Sequence, residues 1–140
     1  MANKIQHPFN SIFSWYIKKR IHQIDLFRKY PSEVQQETLF KLLNKAQKTE
    51  IGLKYGFSSI NTIDEYRKRV PIHSYNDFEP YVNRLKKGEQ NLLWPSEIKW
   101  FAKSSGTTTG KSKFIPVSKE SLEECHYKGG KDLLTLYYNN

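Results

Sequence analysis

Ser104-Ser105-Gly106-Thr107-Thr108-Thr109-Gly110-Lys111-Ser112-Lys113 places six hydroxyl side chains, two glycines and two lysines in ten consecutive positions. Ile98 to Ala102 before it is apolar or aromatic, and Phe114 to Val117 after it is again β-prone, so the stretch reads as the turn of a β-hairpin. Pro116 has no amide proton to give a ladder and puts the second strand at an edge. A turn of this make-up suits a polyphosphate. Glycine reaches positive φ and lets the backbone approach an anion, successive N–H groups form an anion-binding nest, hydroxyls donate neutral hydrogen bonds, and lysine brings charge. The nucleotide loop G-x-x-x-x-G-K-[ST] is a poorer description. Only three residues separate Gly106 from Gly110, and strand rather than helix follows Lys111-Ser112.

Outward from the hairpin the pattern is helical. Phe13, Ile17, Ile21, Ile24 and Phe27 recur at three-to-four spacing between Ser11 and Tyr30, and Pro31 ends that helix. Ser32 and Gln35 read as a capping box, with Val34, Leu39, Leu42, Leu43 and Ala46 as the buried stripe of a second helix to about Lys48. Gly52 and Gly56 interrupt the pattern, and Thr62 with Glu65 caps a short helix stopped before Pro71. Ser74 and Asp77 mark another turn, Pro80 is expected in the first turn of a helix running to about Lys87, and Gly88 closes it. Ser118 caps a last helix with Leu122, Leu133, Leu134 and Leu136, in which Gly129-Gly130 predict a kink or break. The expected organisation is a helical hairpin over 11–48, short helices and loops over 49–97, a β-hairpin over 98–117 and a helix over 118–140.

Bulk properties bound the rest. The 140 residues suit one domain, and 14% aromatic content is too high for a disordered tail. A net charge of +9 favours anionic partners without choosing among them. Cys125 is the single cysteine, which excludes an internal disulfide and a multi-cysteine metal site, and a reducing, cytoplasmic setting is expected. No metal site is expected, since the four histidines at 7, 22, 73 and 126 are widely separated. Cys125 and His126 are adjacent, and neighbouring helical side chains diverge by roughly 100°, so they do not form a nucleophile and base. The basic, aromatic first helix allows an alternative: a non-catalytic amphipathic module on a membrane surface or nucleic acid. Neither partner is expected. An apolar stripe packs equally well on the second helix, and no nucleic-acid motif is present.

The residues of the loop and several segments before it carry a resemblance. The loop resembles the phosphate-binding signature of the adenylate-forming ligase superfamily, and Thr109 between Thr108 and Gly110 is similar to the form found in the auxin-responsive acyl-acid amido synthetases, the Gretchen Hagen family. Thr49 to Phe57 resembles that family's T-x-x-G-x-x-x-G-F segment. Val70-Pro71-Ile72 with Tyr75, Pro80-Tyr81-Val82, Gly88-Glu89 and Leu93-Trp94-Pro95 keep its order and spacing. The likeness runs from about Leu39 to Ser118.

The resemblance implies an α/β parent fold of which this chain is an incomplete N-terminal part, mostly helical, with the hairpin carrying the phosphate loop. It implies ATP and Mg²⁺ as cofactors, a carboxylic acid and an amino acid as substrates, and the remainder of the parent chain as partner. Ser104, Ser105, Gly106, Thr107, Thr108, Thr109 and Gly110 would bind the nucleotide, and Lys113 would be the catalytic basic residue, with Lys111 off the superfamily's spacing. The acid would be adenylated, pyrophosphate would leave, and the amine would attack the acyl group. These residues alone are expected to be inactive.

Overall fold

The computed structural model describes residues 8–106 and 112–139. In chain order it contains α1 (Pro8–Lys29), α2 (Pro31–Ala46), α3 (Glu50–Tyr55), a 3₁₀ turn (Phe57–Ser59), α4 (Ile63–Arg69) and α5 (Tyr75–Lys86). The strands β1 (Trp100–Lys103) and β2 (Phe114–Val117) follow, then α6 (Lys119–Ser121), a π-helical segment (Leu122–Tyr127) and α7 (Lys128–Asn139). The architecture is mostly helical with one two-stranded antiparallel sheet. No helix among the described residues is long and apolar enough to cross a membrane.

Pro31 starts α2 rather than merely ending α1. It occupies the first turn, Tyr30 is the N-cap, and no side chain caps the end, so the Ser32–Gln35 box does not form. Proline tolerates that place because its missing N–H has no intrahelical partner there. Leu43 and Ala46 are buried as their spacing requires, but Leu42 is exposed. The first helix packs mainly on α7 and only lightly on α2. Arg20, buried on α1, forms a bidentate pair with Asp132 of α7, with a second contact at 2.7 Å. That pair holds the guanidinium above and the carboxylate below their ordinary pKa values, chiefly through the hydrogen bond itself.

The last helical run also departs from expectation. Gly129 and Gly130 lie inside α7, and the irregularity falls before them, as the π segment. Thr135, fully buried, and Asp132 face inward, whereas Leu133, Leu134 and Leu136 stay exposed. In α5, Pro80 lies beyond the first turn, where it removes a helical hydrogen bond.

The core beneath the hairpin consists of Leu85, Leu92 and Ile98, with Tyr81, Leu93, Trp94 and Phe101 packed on it. Ile98 therefore belongs to the core rather than to the ladder. Its amide donates to Gln90 Oε1 at 2.8 Å and its carbonyl accepts from Gln90 Nε2 at 3.3 Å, so one side chain replaces a strand partner. The ladder begins two residues later, pairing Trp100 with Val117, Phe101 with Pro116, Ala102 with Ile115 and Lys103 with Phe114.

Candidate functional site

The hairpin projects its turn from the end of a short, well-anchored ladder. Phe101 points to the core while Trp100, Ala102 and Lys103 are exposed. Beyond the last ladder pair, the Ser104 amide donates to the Lys113 carbonyl at 2.9 Å, and the Lys113 amide donates to Ser104 Oγ at 3.0 Å. This double contact forms the neck of the turn. Gly106 has a φ of 71°, the left-handed conformation that favours glycine. Ser104 and Gly106 are half-buried and Ser105 is exposed. Thr107, Thr108, Thr109, Gly110 and Lys111 lie outside the described residues.

Helix α5 braces the turn. The Tyr75 hydroxyl accepts from the Phe114 amide at 3.0 Å and donates to its carbonyl at 3.2 Å, and Lys113 Nζ stands 5.4 Å from the Tyr75 ring centroid. Lys86 Nζ lies 4.1 Å from the Phe114 ring centroid. Between Ile98 and Val117 there are four lysines and no carboxylate, so the turn emerges from a uniformly cationic ribbon.

A second cluster joins the hairpin's surroundings to the helices. Glu120 accepts from Trp94 Nε1 at 3.2 Å and Ser96 Oγ at 2.7 Å, and pairs with Lys45 Nζ at 2.6 Å. The Lys45 hydrogen bond is the main reason its pKa falls from the ordinary 4.5 to about 2. Arg84 is held between Glu50 and Glu89, contacting the first at 2.9 and 2.7 Å and the second at 2.8 Å. Both carboxylates are lowered, and the guanidinium is raised.

A family profile for the GH3 family N-terminal domain matches residues 20–140. The chain belongs to the GH3 family. A jasmonoyl–L-amino acid synthetase, JAR6, from Nicotiana attenuata is 32% identical to the GH3 chain over 124 residues, 88% of this chain and 20% of the relative. An indole-3-acetic acid-amido synthetase, GH3.8, from Oryza sativa subsp. indica is 28% identical over 106 residues, covering 75% and 18% respectively. Among solved structures, a GH3.15 acyl acid amido synthetase matches with a TM-score of 0.70 and 25% identity over 83% of this chain and 20% of its own. The GH3 chain spans about a fifth of the length of the curated relatives it matches.

The segments that carry the family resemblance have identifiable structural work. Thr49 is fully buried; its hydroxyl accepts from the Gly52 amide at 3.1 Å to cap α3 and donates to the Ala46 carbonyl at 2.7 Å. Gly52 lies against the Ala46 carbonyl, where a Cβ would collide with backbone. Gly56 ends α3 at a φ of 62°. His73 sits among aromatic rings, 2.9 Å from the Tyr55 hydroxyl and edge-on to Phe78. Trp94 packs on the core as an anchor, but Trp100 is exposed. Tyr75 is the site residue whose role pattern reading missed. Its signal was its retained spacing after Val70-Pro71-Ile72, which says nothing of the strand it meets.

Proposed function

We propose that the GH3 chain supplies the triphosphate-binding loop of an ATP-dependent acyl-acid amido synthetase, which adenylates a carboxylic acid and transfers the acyl group to an amino acid. The observation that carries this reading is the hairpin neck. Ser104 and Lys113 lock the two strands together, Gly106 turns left-handed just beyond them, and the sequence from Ile98 to Val117 holds four lysines and no carboxylate. Those donors fit a polyanion.

Backbone N–H groups from Gly106 to Gly110, the hydroxyls of Ser104, Ser105, Thr107 and Thr108, and the Lys113 ammonium would hold the β- and γ-phosphates. When bound with Mg²⁺, ATP supplies an electrophilic α-phosphorus and pyrophosphate as leaving group. The loop's own task is to orient the phosphates and to meet negative charge as it builds toward departure, using donors already in place. Ser104 Oγ accepts from the Lys113 amide, which leaves its hydroxyl proton to donate outward. Mg²⁺ would enter with the nucleotide.

The acid and amine pockets, and the rest of an α/β domain, would come from the remainder of the parent protein. The apolar face of α7, with Leu133, Leu134 and Tyr137 exposed, fits a surface made to be covered by it. A cytoplasmic setting belongs to the same proposal and rests on the lone Cys125. ATP–pyrophosphate exchange tests the reading. The full chain should exchange, Lys113→Ala should lower the rate with the fold intact, and residues 1–140 alone should show none. An unchanged rate in Lys113→Ala would remove Lys113 from the role.

A further inference from the structure

Phe114 sits where the ladder ends and the loop begins. Ser104 and Lys113 form the adjoining hydrogen-bonded pair, so the polar backbone groups of Phe114 face away from β1. The Tyr75 hydroxyl meets both of them, at 3.0 and 3.2 Å, and stands in for a third strand at that one residue. Using the phenol's donor and acceptor on a single partner fixes its ring, and the ring in turn underlies the Lys113 ammonium at 5.4 Å. Lys86 ties α5 to Phe114 a second time.

We propose that Tyr75 is a positioning residue of the phosphate loop: its hydroxyl sets the backbone at Phe114, and its ring sets where the Lys113 ammonium stands. The inference rests on the reading of the loop given above. A lysine on a free four-carbon stem loses rotamer freedom when it grips an anion, whereas one already resting on a fixed ring loses less. Tyr75 acts through Lys113 and the strand.

The test compares ATP–pyrophosphate exchange by the full chain carrying Tyr75→Phe, Lys113→Ala or both, with thermal unfolding of each variant. Tyr75→Phe should lower kcat/KM for ATP by roughly tenfold, leave KM for the acid unchanged and lower Tm by only about 5 °C. In the double variant it should cost less than it does alone, because part of its effect passes through Lys113 and only the rest through the strand. If Lys113→Ala lowers exchange but Tyr75→Phe does not, or costs its full factor on top of Lys113→Ala, the positioning role is overturned while the loop assignment stands. If Lys113→Ala has no effect, the loop assignment fails and the role of Tyr75 fails with it. Should Tyr75→Phe not fold, 4-fluorophenylalanine at position 75 fills the place of the hydroxyl without a proton to donate to the Phe114 carbonyl, so exchange should fall; exchange matching the parent's overturns the proposal.

Discussion

Ser104 and Lys113 bind each other through two hydrogen bonds: the Ser104 amide gives to the Lys113 carbonyl at 2.9 Å, and the Lys113 amide gives to the Ser104 hydroxyl at 3.0 Å. A side-chain oxygen thus replaces a main-chain acceptor where the turn leaves the ladder. Ser104→Ala would strand the Lys113 N–H at a half-buried position, at a cost of about 1 kcal/mol. Its expected signature is faster hydrogen exchange at the Lys113 amide, with Ser104→Thr retaining protection. Equal exchange in the alanine variant would show that the neck does not depend on this hydroxyl.

The glycines should divide sharply. Gly52→Ala drives a methyl group into the Ala46 carbonyl and the following backbone, so a loss of about 3 kcal/mol or failure to fold is expected. Gly129 and Gly130 have open space around an added Cβ and lie in helix, so Ala at either should raise stability by roughly 0.5–1 kcal/mol. Urea unfolding measures all three. A neutral Gly52→Ala would contradict the packing described here.

Glu120 makes stability pH-dependent on the acid side. Its carboxyl is depressed from 4.5 to about 2, so the folded state binds the proton less readily than the unfolded chain. Its contribution is complete above pH 4.5 and is lost as pH falls from there toward 2. Because Lys45 and Glu120 are partly solvated, the contribution is expected to be about 1 kcal/mol. Glu120→Gln should be less stable than the parent at pH 7, with the difference shrinking toward pH 2 to 3. A constant difference across that range would exclude the ion-paired carboxylate as its source.

Much of this arrangement is written in local patterns. The spacing from Ile17 to Ile24, the Pro31 boundary, the Thr62 cap and the β-prone runs around a Ser/Thr/Gly turn all reflect interactions within a few residues, which a single sequence exposes. What stayed hidden depends on distant partners. The Gln90 clamp that takes Ile98 out of the ladder, the Tyr75 brace on Phe114 and the Glu120 node on Trp94 join side chains to groups far along the chain. The outward leucines of α7 were also illegible, because Arg20 chooses Asp132, and so the inner face, from another helix. Of the proposed nucleotide residues, Ser104 and Lys113 are brought together at the neck, and Ser105 and Gly106 follow it in the chain.

A crystal structure of the full chain with a non-hydrolysable ATP analogue tests the central claim most directly. The β- and γ-phosphate oxygens should lie within hydrogen-bond distance of the backbone amides after Gly106 and of Lys113 Nζ, with Tyr75 still on Phe114. Triphosphate bound elsewhere, with the turn facing solvent, would contradict the account.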